Sequence, residues 1–134
     1  MGIGSTGARN MINYVLVGVG GMTGAMLRYW LSGLIGNATS GKFPYGTLAV
    51  NVIGCFIIGF FLTLGYERFS WSPELRLFVA VGILGGFTTF STFSYETISL
   101  FREGVYLQGL INATASLVGC LVATLLAVAV ARKL

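Results

Sequence analysis

The chain has 134 residues, 55% of them hydrophobic and only 9% charged. A soluble domain carries about 25% charged residues, so there is too little charge here to cover a water-soluble globule, and the chain reads as a membrane protein. Eight Lys and Arg against four Glu leave a net charge of +4. The cations are scattered, which excludes the clustered footprint of a nucleic-acid binder; they lie where apolar runs end, as charges do at lipid headgroups.

The first ten residues, "MGIGSTGARN", are rich in glycine and predict a flexible N-terminal head. They fit the myristoylation pattern M-G-x-x-x-[ST], but a chain with several spans needs no lipid anchor. The apolar run that follows is long and lacks an A-x-A site, which argues against a cleaved signal peptide. Residues 11–134 predict a single transmembrane domain, because about 20 apolar residues cross a bilayer as a helix and four such runs follow one another.

The first span is expected from Met11 to Leu34. Its "GVGGMTGA" contains the pairs Gly20–Gly24 and Gly21–Ala25, whose small-xxx-small spacing lets two membrane helices approach closely. The same letters resemble a dinucleotide-binding G-x-G-x-x-G, but Thr23 stands where the third glycine should be, and no acidic residue lies about 20 positions on. After "GNATSGKFP" the second span is expected from Gly46 to Tyr66. It carries one small or polar row at helical spacing: Thr47, Asn51, Cys55, Gly59 and Thr63. Residues four apart share a helix face, so this stripe turns inward and the apolar back meets lipid.

The third span is expected from Leu75 to Phe101 and contains "LGGFTTFSTFSYE", residues 84–96, with two glycines, six hydroxyl-bearing residues and three phenylalanines. Gly85-Gly86 weakens a helix here, and non-helical backbone at membrane depth is tolerated only inside protein or along a cavity. Exposed backbone groups at such a break are a usual way to build ion sites. Beyond the glycines, Phe90 and Phe93 alternate with Ser and Thr. Cations are drawn to the face of an aromatic ring, whereas an anion prefers the positive edge. Ring edges beside hydroxyl and amide donors form an electropositive lining without a full charge, suited to a small anion that must not be held too tightly to leave. Phe87 shares the three-residue spacing but is expected to pack.

The fourth span is expected from Val105 to Ala131. It bears two inward rows, Asn112–Ser116–Cys120–Thr124 and Ala115–Gly119–Ala123–Ala127. An amide in a membrane is costly unless its hydrogen bonds are met, so Asn51 and Asn112 are expected to face the protein interior or a wet cavity. Cys55 and Cys120 read as small core residues. With no His or Asp in the chain, no zinc ligand set, catalytic triad or other enzyme centre can be written.

An even number of spans puts both termini on one side, with Arg9, Arg68, Arg76, Arg132 and Lys133; Arg28, Lys42 and Arg102 fall on the other. So weak a bias under the positive-inside rule suggests insertion in both orientations and an antiparallel homodimer.

Three motifs, "GGMTGAMLRYW", "GTLAVNVIG" and "GGFTTFSTFSYE", stand at matched places in the first three spans. Together with the four-span layout, they resemble the Fluc (CrcB) fluoride ion channel family from about Tyr14 to the end. The resemblance implies an all-α membrane protein in the cell (inner) membrane, built as a dual-topology antiparallel homodimer. It also implies two pores that let fluoride leave the cytoplasm passively. Carried onto this chain, it implies Phe90 and Phe93 as pore phenylalanines and Asn51 as the pore asparagine. Ser91, Thr92 and Ser94 are the accompanying hydroxyls, with Thr89 beside them, and Tyr106 is a pore tyrosine. Arg28 and Glu96 are expected near a vestibule. A structural Na+ at the dimer centre is expected on the backbone carbonyls of Gly85 and Thr88. Asn112 departs from the small or hydroxyl residue expected at its place. The alternative is a small dual-topology proton-coupled exporter, which should carry a carboxylate within its first span; residues 11–34 contain none.

Overall fold

Four helices long and apolar enough to cross a membrane dominate the computed structural model: Gly7–Ala38, Tyr45–Glu67, Pro73–Arg102 and Tyr106–Lys133. The structure describes residues 3–134, with side-chain surroundings from residue 7 onward. Residues 1–2 of the expected N-terminal head lie outside the described residues. The first helix, α1 (Ile3–Ala38), begins within the segment assigned to that head and runs four residues past the expected end at Leu34. The second, α2 (Tyr45–Glu67), agrees with its expected bounds to one residue at each end.

The third span is assembled from pieces. Ser72 opens α3 (Pro73–Arg76) by accepting the Leu75 N–H at 3.2 Å, with Pro73 at the first helical position, where its missing N–H is no loss. A π-helical segment, Leu77–Leu84, follows. Its side chains are all apolar or glycine, so the backbone must satisfy its own polar groups at membrane depth; the Gly85 N–H reaches back to the Ala80 carbonyl. The turn α4 (Gly85–Phe87) comes next, and α5 (Phe90–Arg102) completes the span. Between α4 and α5, Thr88 (φ −87°, ψ 156°) and Thr89 (φ −151°, ψ 115°) are extended. Gly85 and Gly86, where the sequence places the weak point, are themselves helical. The fourth span is α6 (Tyr106–Lys133).

The helices pair through the small residues of their inward rows. On α1, a Cβ added at Gly20 would lie 2.7 Å from the Phe78 carbonyl oxygen, and one at Gly24 would lie 2.8 Å from the Phe87 nitrogen. In return, a Cβ at Gly86 would overlap the Gly21 carbonyl. Backbone therefore meets backbone along the α1–third-span seam, as the Gly20–Gly24 spacing requires. On the other side α2 packs on α6, where Thr124 and Ala127 crowd Gly59, and Val52 crowds Gly119. Ala127 at this contact is fully buried, as is Val50 of α2. Phe87 is buried, as expected of a packing residue. Most other large apolar side chains point outward, which in a membrane is contact with lipid rather than a fault.

Candidate functional site

The extended residues Thr88 and Thr89 hold their shape because neighbours replace the hydrogen bonds a helix would supply. The Asn51 side-chain amide pairs with both backbone groups of Thr89: its Oδ1 accepts the Thr89 N–H at 2.8 Å, and its Nδ2 donates to the Thr89 carbonyl at 3.0 Å. The Thr88 N–H and hydroxyl both donate to the Leu84 carbonyl, at 3.0 and 2.9 Å. The Thr89 hydroxyl then caps α5 by accepting the Thr92 N–H at 3.2 Å. It also contacts the hydroxyls of Ser91 (3.2 Å) and Thr92 (3.1 Å).

These substitutions strand two carbonyls. The Thr89 N–H, which would close a helical turn onto Gly85, is held by Asn51; the Thr92 N–H, which would close onto Thr88, is held by the Thr89 hydroxyl. Among the described residues, neither the Gly85 nor the Thr88 carbonyl accepts a hydrogen bond. The Gly86 carbonyl is met by Arg28, whose Nε donates to it at 3.1 Å. An arginine suits the negative end of a helix, and here it ties α1 to the last turn of α4.

A cavity of about 270 Å³ lies on the other side of this junction. Asn51, Thr88, Thr89, Phe90 and Phe93 line it together with Cys55, Ser116 and Cys120. The rings of Phe90 and Phe93 are 5.3 Å apart and tilted by 55°. No charged side chain lines the cavity. Each primary amide carries two N–H donors; one on Asn51 is used by Thr89, which leaves the second for a ligand in the cavity.

A second cavity, about 340 Å³, gathers Thr47, Thr92 and Glu96 with Tyr29, Ser32 and Thr39 of α1 and its following loop. Here Thr47 donates to Glu96 Oε1 at 2.8 Å, while Glu96 Oε2 is buried without a partner. Both cavities draw on the start of α5 and its cap, Thr89, Phe90 and Phe93 lining one and Thr92 and Glu96 the other.

Other expected site residues lie apart from this cluster. Ser94 donates to the Phe90 carbonyl at 2.9 Å and lines neither cavity. Tyr106 stands at the start of α6, exposed, with its ring 6.3 Å from that of Phe101. Asn112 is fully buried and donates to the Thr97 hydroxyl at 2.9 Å, which donates in turn to the Phe93 carbonyl at 2.7 Å. It locks α6 to α5 behind the phenylalanine. The sequence reading did not single out Cys55, Ser116 or Cys120 as lining residues, although all three belong to the inward rows. The usable signal was that the rows containing Asn51 and Asn112 continue to the same depth on two packed helices.

A four-span, multi-pass membrane protein with an uncharged, mostly apolar cavity against an irregular third span has the architecture of the channel and transporter class. Comparison with known sequences narrows this. Residues 15–128 match the family described as CrcB-like protein, Camphor Resistance (CrcB), and the chain belongs to that family. It is 49% identical to a protein of Rhizobium leguminosarum bv. trifolii over 128 residues, which are 92% of this chain and 99% of the relative. It is 43% identical to one of Geotalea daltonii over 122 residues, 91% of this chain and 98% of the relative. With a protein of Geobacter sulfurreducens it shares 44% identity over 124 residues, 92% of this chain and all of the relative. Each of the three is named a fluoride-specific ion channel, FluC.

Proposed function

We propose that this chain is a passive fluoride-selective channel that lets fluoride leave the cytoplasm. The observation that carries the reading is the cavity itself: Asn51, Phe90 and Phe93 converge on a space with hydrogen-bond donors and no charged side chain. The names of the relatives support the identity of the ion. A fluoride entering this space loses part of its hydration to the free Asn51 N–H, to Thr and Ser hydroxyls and to ring edges. The N-terminus of α5 adds its positive dipole end beside Phe90. Because no Lys or Arg closes on the ion, binding stays weak enough for release.

The vestibule of this path is the second cavity, with Glu96 at its wall and Arg28 close by on α1. Ser91, Thr92, Ser94 and Tyr106 extend the lining once a partner covers the exposed face on which Phe90 stands. That partner is a second copy in the opposite orientation, an arrangement supported by the near balance of cations at the two ends. The stranded carbonyls of Gly85 and Thr88 fit a Na+ at the centre of the dimer, since backbone oxygens suit such a cation and Gly85 lies on the exposed surface. Its charge would hold the two negative helix ends together.

The test is ion release from liposomes containing the purified protein. Rapid fluoride efflux without a proton or sodium gradient, and without chloride release, is expected; a requirement for a gradient, or equal chloride flux, overturns the reading.

A further inference from the structure

Cys55 of α2 and Cys120 of α6 were expected to be inert core residues, yet both are free, partly exposed and line the same cavity. One hydroxyl fixes their relative level: Thr124 Oγ1 donates to the Cys55 carbonyl at 3.2 Å and to the Cys120 carbonyl at 3.0 Å. At this level both cysteines line the same cavity, one from each of the two packed helices. Around them the cavity offers Leu117, Leu121 and the two phenylalanines. Among the described residues no group of three or more His, Cys, Asp or Glu stands together, so a tetrahedral zinc site cannot form. Two thiols lining one mostly apolar cavity from packed helices instead suit a soft cation that is content with two ligands in line.

We propose that Cys55 and Cys120 form a binding site for a soft, two-coordinate d10 cation, of which Hg(II) is the divalent example. Each thiol gives up its proton to solvent as a sulfur–metal bond forms, so one ion releases two protons and nothing is oxidised or reduced. Two thiolates cancel the charge of a divalent ion, and the neutral complex has no Born penalty to meet in the low-dielectric cavity. Hard cations, which favour several oxygen ligands with carboxylates among them, meet only the neutral side chains of Asn51, Thr88, Thr89 and Ser116 here. Because the same cavity holds Asn51, Phe90 and Phe93, a bound ion would also obstruct fluoride; that consequence alone rests on the channel reading.

The site is tested by titrating the purified full-length protein with HgCl2, following the ultraviolet thiolate-to-mercury band and the bound metal by elemental mass spectrometry. One ion per chain is expected. Cys55→Ala and Cys120→Ala should each abolish the two-thiolate band and weaken binding by roughly 10²- to 10⁴-fold, the gain expected when a second ligand acts intramolecularly. Uptake of two ions per chain, or wild-type affinity in either variant, overturns the proposal. Should the variants not fold, maleimide labelling of the wild type decides: one equivalent of Hg(II) should protect both thiols, and a thiol left reactive overturns the bridge. Binding is read whether or not the liposomes conduct. Efflux that Hg(II) stops and excess dithiothreitol restores supports both the site and the path; bridging without a change in efflux supports the site and counts against this cavity as the fluoride path.

Discussion

Residues 77–87 and residues 90–102 belong to one membrane span, yet they hold to the protein by opposite means. The first stretch has no hydroxyl or charged side chain; it is anchored by glycines of α1 and by its own backbone bonds, with Arg28 reaching its last turn. The second carries Ser91, Thr92, Ser94, Glu96 and Thr97, and nearly every one of them is hydrogen-bonded. Asn51 stands at the junction and serves both. The difference separates two kinds of fragility. Where backbone touches backbone no flexible atom can yield, whereas a side-chain network loses its members one bond at a time.

The sharpest way to break this contrast is on the glycine seam. Gly24→Ala would drive a methyl group into the Ile83 carbonyl and the Phe87 nitrogen. A loss of about 3 kcal/mol or more is expected, at or beyond the upper end of ordinary overpacking, and it should appear as collapse of the thermal unfolding midpoint in detergent. If Gly24→Ala unfolds like the wild type, the seam is looser than described. Next comes Asn51→Ala, which strands the Thr89 N–H and carbonyl; each buried group left unpaired costs about 1–3 kcal/mol. Fluoride efflux should fall at least as steeply as stability, because the variant also removes a donor from the cavity.

Phe90→Ile or Phe93→Ile should divide function from stability. Efflux is expected to drop while the unfolding midpoint moves little for Phe90, which is 78% exposed in the single chain. Normal conduction by both variants would defeat the ring-edge argument. A smaller effect is expected from Thr97→Val, which removes the acceptor for Asn112 and should cost on the order of 1 kcal/mol, read by thermal unfolding. Least of all, Lys42→Ala breaks the Lys42–Glu103 ion pair, 2.6 Å long but with side chains 61% and 50% exposed. Such pairs contribute about 0–1 kcal/mol and are screened by salt, so the variant should match the wild type at high ionic strength.

Much of this molecule could be read from the chain alone. Four apolar runs of spanning length determine four helices, because a backbone in lipid has few other ways to satisfy its hydrogen bonds. The Gly20–Gly24 spacing identified the close seam, and the inward rows were legible because residues four apart share a face. Asn51, Phe90 and Phe93 were marked by chemistry too polar or too repetitive for a plain lipid-facing helix.

Only the tertiary structure decided how those rows are used. Gly85 and Gly86 looked like the weak point, but both stay helical, and of the two only Gly86 is pressed against α1; the extended residues are Thr88 and Thr89, where an amide from another helix outcompetes the helical bonds. Propensity is local, and Asn51 is 38 residues away from Thr89. A still longer separation in sequence hid that Cys55 and Cys120 line one cavity. Each lay within an apolar run, and only the packing of α2 on α6 turned two ordinary core residues into neighbours on one cavity wall.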